Sequence, residues 1–154
     1  MELPSRCQAC NFFRNKLNNM VGILIIAHGA FGETLIHCAS HVLARRPLRV
    51  RQVGVTMHDD PDLIYVQAQD LVRELDSGDG VLVLTDILGA TPSNVATRLI
   101  VPGRVEGVAG VNLPMLIRAL TYREEPLDKV VRKAASGGVE GVVQIGKEDA
   151  GAAG

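Results

Sequence analysis

The clearest candidates for chemistry are a histidine and an aspartate that each end a run of apolar residues. His28 ends the apolar run in GILIIAHG, residues 22–29. Asp86 ends a later apolar run, at the start of TDILGATPSN, residues 85–94. In an α/β sheet, ligands bind at the carboxyl ends of the strands, near the point where the strand order reverses. If the two runs are neighbouring strands, we expect His28 and Asp86 to meet.

A histidine paired with a carboxylate in this way can act as a nucleophile. The carboxylate accepts a hydrogen bond from one ring nitrogen and holds the ring in one tautomer, so the lone pair of the other nitrogen is free to attack. Phosphoryl acceptance on histidine requires this arrangement. We therefore predict that His28 and Asp86 are the catalytic residues.

The residues around this pair predict a site for an anion. Gly89 and Ala90 allow the loop backbone to approach a ligand closely. The helix predicted to open at Pro92 presents free N–H groups and the positive end of its dipole, and Thr91 can cap that helix or donate its hydroxyl to the anion. We expect Gly29, Gly89, Ala90 and Thr91 to surround the phosphoryl group.

The elements that must position these residues alternate along the chain. Short apolar runs predict strands at 21–27, 48–57, 80–86, 105–111 and 139–145, with amphipathic helices between them. Hydrophobic residues make up 47% of the 154 residues and aromatic residues only 3%, which suits a sheet covered by helices. We predict a single-domain, doubly wound α/β fold with a mostly parallel five-stranded sheet and helices on both faces.

Hydropathy also predicts the place of each strand and the turns between them. The second strand alternates arginines with apolar residues, so it belongs near an edge, whereas the first and third are apolar nearly throughout and belong in the middle. The fifth helix, beginning near Leu127, is predicted to stop at Ser136, Gly137 and Gly138. We expect an N-terminal arm at 1–19, one domain at 20–146 and a disordered tail at 147–154.

Composition excludes several classes of function. A net charge of −1 with a pI near 6.4 gives no basic field for nucleic acid. The longest apolar run, 21–27, is far shorter than the roughly 20 residues that span a bilayer. The first 19 residues lack the features of a secretory signal, so we expect a cytoplasmic protein.

Cofactors and metals find little support in the sequence. Cys7 and Cys10 form a C-x-x-C pair with no second pair or nearby histidine to complete a zinc site. His37 and His41 have the spacing of a pair of metal ligands, but no further ligand motif lies nearby. We therefore expect them to be solvent-exposed residues on the polar face of one helix. No nucleotide-binding motif is present, and we predict neither a cofactor nor a resting Mg²⁺.

Three ordered stretches give the chain a family resemblance: GILIIAHG with His28, TDILGATPSN with Asp86, and GVNLPML at 110–116. From about Met20 to Ile145 the chain resembles the IIA component of the mannose family of the bacterial sugar phosphotransferase system. The resemblance implies that His28 takes a phosphoryl group from the histidine phosphocarrier protein, while Asp86 orients the ring and Thr91 contacts the phosphoryl group.

The resemblance also implies partners. The acceptor is a IIB component, expected here as a separate protein because no IIB domain follows in this chain, or else a regulatory partner. The family further suggests a homodimer in which the C-terminal strand, 139–145, is an edge strand that packs on the partner subunit.

Other readings remain open at this stage. A tetrapyrrole metal chelatase also has a first strand ending in His-Gly, but it needs a second histidine at a later strand end, where only His58 in MHDDPD is a candidate. The multiphosphoryl subunit that supplies dihydroxyacetone kinase shares the fold, although GVNLPML and ATPSN favour the mannose type. A non-catalytic regulatory module would use the histidine only as a signal mark.

Overall fold

The computed structural model describes residues 19–146 of the chain. The predicted tail, the Cys7 and Cys10 pair and all but the last residue of the predicted arm lie outside the described residues. Within them, strands and helices alternate until two helices close the fold. The strands are β1 (Gly22–His28), β2 (Val50–Val55), β3 (Val81–Thr85) and β4 (Val105–Ala109). The helices are α1 (Phe31–Leu43), α2 (Pro61–Leu75), α3 (Thr91–Leu99), α4 (Leu113–Tyr122) and α5 (Leu127–Glu140).

The four strands form one parallel sheet in the order β2-β1-β3-β4. The predictions that the second strand lies at an edge and that the first and third lie inside the sheet are confirmed. The chain moves from β1 to one side and then returns to place β3 on the other side. The strand order therefore reverses between β1 and β3, and their carboxyl ends flank the crevice where such sheets bind ligands.

Two apolar cores cover the two faces of the sheet. In β1, Ile23 and Ile25 face the core formed with α1, α4 and α5, while Leu24 and Ile26 face the core formed with α2 and α3. All four side chains are fully buried, and burying each contributes about 1.5–3 kcal/mol. This double coverage explains why β1 is apolar at every position, and it confirms a sheet with helices on both faces.

The amino end of the sheet is held by a buried arginine. The Arg123 guanidinium donates to the carbonyl oxygens of Val21, Leu48 and Arg49, at distances of 2.6 to 3.3 Å. Burial and the neighbouring Arg49 charge lower the pKa of Arg123 to about 10. The group is therefore still charged at neutral pH, and it fastens β1 and the start of β2 at the end of the sheet opposite His28.

The predicted fifth strand is wrong, because α5 continues to Glu140 and residues 141–146 form neither a helix nor a strand. The predicted stop is also wrong, since Gly137 and Gly138 lie inside α5. A Cβ on Gly137 would lie 2.6 Å from the Arg118 Cβ, and one on Gly138 would lie 2.6 Å from the Met115 Cε. These glycines thus let α5 pack closely against α4. Among the described residues, no helix combines the length and the apolar content needed to cross a membrane.

Candidate functional site

The structure brings the predicted catalytic pair into contact at the crevice between β1 and β3. His28 is the last residue of β1, and Asp86 directly follows β3, whose Thr85 pairs with Ile26. The ring Nδ1 of His28 lies 2.7 Å from Asp86 Oδ2, and the backbone N–H of His28 donates to the same oxygen at 2.9 Å. One carboxylate oxygen therefore holds both the backbone and the ring of His28.

This contact determines which nitrogen of His28 can react. A carboxylate only accepts hydrogen bonds, so Nδ1 must carry the hydrogen and Nε2 keeps its lone pair. The His28 side chain is 54% exposed, whereas that of Asp86 is only 16% exposed. The His28 ring is therefore accessible to solvent, and its orientation is fixed by a carboxylate that is mostly buried.

The Asp86 carboxyl is kept in its charged form by its hydrogen bonds. Partial burial alone would raise its pKa, but the backbone and ring of His28 and the N–H of Ile87 all donate to it. The pKa of Asp86 therefore lies below its ordinary value of 3.8. At neutral pH the group is a carboxylate that can stabilise positive charge on the His28 ring.

The turn after His28 depends on two glycines. Gly29 has a φ of +54°, in the left-handed region that favours glycine. Its N–H donates to the Val55 carbonyl oxygen at 2.9 Å, and a Cβ on Gly54 would collide with the Gly29 carbonyl oxygen. Gly29 thus shapes the turn, and its own N–H is already engaged within the protein.

A residue that the sequence analysis did not single out holds the loop after Asp86. Ser93 is 4% exposed, and its Oγ accepts the Gly89 N–H at 2.8 Å and donates to the Ala90 carbonyl oxygen at 2.9 Å. Any serine in a first helical turn has a spacing at which its hydroxyl can bond back to the backbone, so the sequence does not single out Ser93. Like Gly29, Gly89 therefore contributes shape to the site, since its N–H is also engaged.

The expectation that Thr91 caps a helix beginning at Pro92 is wrong by one residue. Helix α3 begins at Thr91 itself, and Ala90 occupies the capping position with an extended backbone and no capping side chain. Thr91 is exposed and is not the cap, so its hydroxyl is not held in a capping bond. It does not receive the first amides of its own helix.

The two helices next to the histidine begin without a side-chain cap, as α5 does after Pro126, whereas α2 and α4 are capped. Asp60 caps α2 and Asn112 caps α4 with side-chain oxygens. The two helices that follow β1 and β3 have Ala30 and Ala90 at this position, and neither supplies a side-chain hydrogen bond. The amide groups of their first turns are therefore available to an anion beside the predicted catalytic pair.

Large apolar side chains are exposed in the loops around this end of the sheet. Met57, in the turn after β2, is 94% exposed, and Ile87 and Leu88, beside Asp86, are 58% and 79% exposed. Phe31, at the start of α1, is 42% exposed. We call these four residues the apolar rim. Grouped exposed apolar residues of this kind mark surfaces that bind other proteins.

The remaining histidines lie elsewhere. His58 is exposed in the turn after β2, and His37 and His41 are exposed on α1. Within residues 19–146, no group of three or more histidine, cysteine or acidic side chains is arranged to hold a metal ion.

Comparisons with known proteins agree on one family. The family model EIIA-man, described as the PTS system fructose IIA component, matches residues 22–135, where PTS is the sugar phosphotransferase system. The mannose-specific EIIAB component of the PTS of Escherichia coli K12 is 31% identical over 125 residues, which cover 79% of this chain and 38% of that protein. The chain thus spans well under half the length of this curated relative.

Solved structures give the same result. The EIIA component from Streptococcus agalactiae superposes with a TM-score of 0.72 at 29% identity, covering 81% of this chain and 97% of that one. The mannose/sorbose specific IIA subunit from Enterococcus faecalis gives a TM-score of 0.73 at 25% identity, covering 82% and 96%. The four-stranded α/β fold described above matches these structures.

Proposed function

The chain belongs to the mannose-type EIIA family of the sugar phosphotransferase system, and from this premise we propose that it is a phosphoryl relay that uses His28 as its acceptor. The observation that carries the proposal is the 2.7 Å contact between His28 Nδ1 and Asp86 Oδ2. The relay domain is residues 20–146, and it works in the cytoplasm.

The proposed transfer is an in-line displacement between two histidines. The lone pair of His28 Nε2 attacks phosphorus on the phosphohistidine of the histidine phosphocarrier protein. The new N–P bond forms as the old one breaks, and the donor imidazole leaves with the electron pair of the broken bond. The positive charge that develops on the His28 ring is stabilised by the Asp86 carboxylate, and the reverse chemistry passes the group to a IIB component.

Positioning and anion stabilisation supply the catalysis in this proposal. The transferring phosphoryl group has a loose transition state with charge on its oxygens, so donors aimed at those oxygens matter most. The first-turn amides of α3, including that of Thr91, and the Thr91 hydroxyl serve as these donors. Ala90 permits close approach, and Gly29 and Gly89 shape the flanking turns.

The apolar rim supports docking of protein partners directly over His28. Donor and acceptor proteins must each bring a side chain to Nε2, so they must use the same surface in turn. Met57, Ile87 and Leu88 offer an exposed apolar contact there, and the exposed ring lies among the loops that carry them. The proposed partners are the histidine phosphocarrier protein and a separate IIB component or regulatory protein.

We also propose a homodimer formed through the segment after α5. Val142, Val143 and Ile145 are 78%, 64% and 96% exposed, and they adjoin Val139, which is 76% exposed. In the described residues, β4 pairs only with β3 through a regular ladder, which leaves its outer edge open. A groove of about 590 Å³ lies between β4 and the end of α5. A second copy of residues 141–146 would cover this apolar surface.

Intact mass spectrometry tests the relay. The full chain is incubated with phosphoenolpyruvate, enzyme I and the phosphocarrier protein, beside His28→Ala and the control His58→Ala, which removes another exposed histidine at the same end of the sheet. We expect one acid-labile phosphoryl group on the wild type and on His58→Ala, and none on His28→Ala. Equal labelling of His28→Ala, or no labelling of the wild type, would overturn the proposal.

A further inference from the structure

Two histidines on α1, outside the phosphoryl site, converge on one point. His37 and His41 are one helical turn apart, and their Nε2 atoms are 3.2 Å from each other. The ring centroids are 4.7 Å apart, and the rings are nearly perpendicular, with an interplanar angle of 86°. The pair is exposed, so both nitrogens are accessible from solvent.

The separation of the two nitrogens suits a chelated metal ion. Zinc–imidazole bonds are about 2.0–2.1 Å long, and two such bonds at an angle between square and tetrahedral place their nitrogens about 2.9–3.4 Å apart. The observed 3.2 Å lies inside this range. The spacing is that of the two histidines of H-E-x-x-H metal sites, which bind one ion from one face of a helix.

We propose that His37 and His41 form a bidentate site for a divalent transition-metal ion that favours imidazole ligands, such as Zn²⁺ or Ni²⁺. One ring donates to the other in the metal-free pair, so binding requires that ring to move its hydrogen from Nε2 to Nδ1. Both Nε2 lone pairs then bind the ion, and no net proton is released from two neutral rings. Water completes the coordination.

Packing does not account for the pair. The buried face of α1 is formed by Leu35, Ile36 and Ala39, and the two histidines lie away from it. An exposed hydrogen bond between neutral rings contributes little to folding, because water competes for both groups. Among the described residues, no third histidine, cysteine or acidic side chain joins the pair in a metal-binding group, so the site uses two protein ligands.

Isothermal titration calorimetry with NiCl₂ and with ZnCl₂ tests the site. Every protein is the full chain with Cys7→Ser, Cys10→Ser and Cys38→Ser, because thiolates bind the same ions. The variants are His37→Gln, His41→Gln and the control His58→Gln. Because all three histidines are exposed, the substitutions leave the core intact, and circular dichroism verifies that each variant is folded.

We expect one ion per chain in the background protein and in His58→Gln, with affinity at least about tenfold weaker in each of the other two variants. Ring ¹⁵N spectra should show that the ion shifts the Nε2 resonances of both histidines. The ion should raise the melting temperature of the background protein and of His58→Gln, but not that of His37→Gln or His41→Gln. Affinity that is unchanged in His37→Gln and His41→Gln, or no binding by the background protein, would refute the site.

Discussion

At the scale of single residues, Asp86 combines two tasks that are usually separate. Its Oδ2 accepts from the backbone N–H and from the ring of His28, so the carboxylate fixes where β1 ends and also which ring nitrogen is free. Its Oδ1 accepts from Ile87. The orientation of the imidazole is therefore set within the protein itself, which is what the proposed transfer to His28 requires of a positioning residue.

Substituting Asp86 by Asn should slow phosphoryl acceptance. Asp86→Asn keeps the shape of the side chain but removes the negative charge that stabilises the positive ring of His28. We expect the rate of acid-labile phosphoryl incorporation to fall at least about tenfold, with a folded far-UV circular dichroism spectrum. Asp70→Asn, which alters an exposed carboxylate on α2, is the control. Equal rates for the two variants would remove Asp86 from the mechanism.

The sequence allows the contact between His28 and Asp86 to be predicted, but it does not reveal Ser93. His28 and Asp86 are each visible as a polar residue directly after an apolar run, and topology brings such residues together. Ser93 acts through the conformation of a loop, because its hydroxyl bonds to the backbone of Gly89 and Ala90. Nothing in its residue type or in the hydropathy pattern distinguishes it from an ordinary serine in a first helical turn.

At the scale of elements, the conformation of the loop between β3 and α3 should depend on the Ser93 hydroxyl. Ser93→Ala removes the acceptor for the Gly89 N–H and should cost about 0.5–1.5 kcal/mol of unfolding free energy, the net contribution of a hydrogen bond whose exposed donor can turn to water. Urea unfolding measures this loss. Hydrogen exchange should show faster exchange of the Gly89 amide, and phosphoryl acceptance should slow.

The control for this loop variant is Ser136→Ala. Ser136 also donates its hydroxyl to a carbonyl oxygen three residues earlier, in α5 and away from the site. We expect a smaller change in stability and unchanged exchange at Gly89. Protection of the Gly89 amide in Ser93→Ala equal to that in the wild type would show that the hydroxyl does not hold the loop.

Helix and strand patterns predict most elements, and their failure at the C-terminus has a physical cause. Two adjacent glycines usually end a helix, yet Gly137 and Gly138 lie where Arg118 and Met115 leave no room for a Cβ. Asn112 also donates to the Gly138 carbonyl oxygen at 3.0 Å. These contacts are tertiary, so the local pattern could not indicate that the helix continues into the predicted strand.

At the scale of the whole molecule, the two ends of the sheet are specialised differently. The carboxyl end holds the histidine, the apolar rim and the starts of α1 and α3, at which Ala30 and Ala90 supply no side-chain cap. The amino end is held by charged side chains that bond to backbone: Arg123 donates to three carbonyl oxygens, and Asp76 accepts from Gly78 and Gly80 as well as from Arg104.

Protonation of Asp76 at acid pH should lower the free energy of unfolding. Burial would raise its pKa, but the bonds from Arg104, Gly78 and Gly80 hold it below 3.8. A lowered folded pKa means that the stabilisation is fully present above pH 3.8 and is lost as the pH falls through the folded value.

We expect the free energy of unfolding of Asp76→Asn to be about 1–3 kcal/mol lower than that of the wild type at pH 7. This difference should shrink as the pH falls below 3.8. Urea unfolding at a series of pH values measures this difference. The exposed neighbour Asp79→Asn is the control. A gap that stays constant across the whole series would contradict the assignment.

The proposed dimer makes a prediction for the assembled molecule. The apolar side chains after α5 are exposed in one chain, so a second copy that buries them gains the corresponding transfer free energy, about 25 cal/mol for each Å² covered. Val142→Asp places a charge in that surface, and we expect light scattering after gel filtration to give a monomer where the wild type is a dimer. Val66→Asp, at a valine of α2 that is also exposed, should stay dimeric. A wild type that is monomeric at every concentration, or a Val142→Asp variant that dimerises equally well, would rule out this interface.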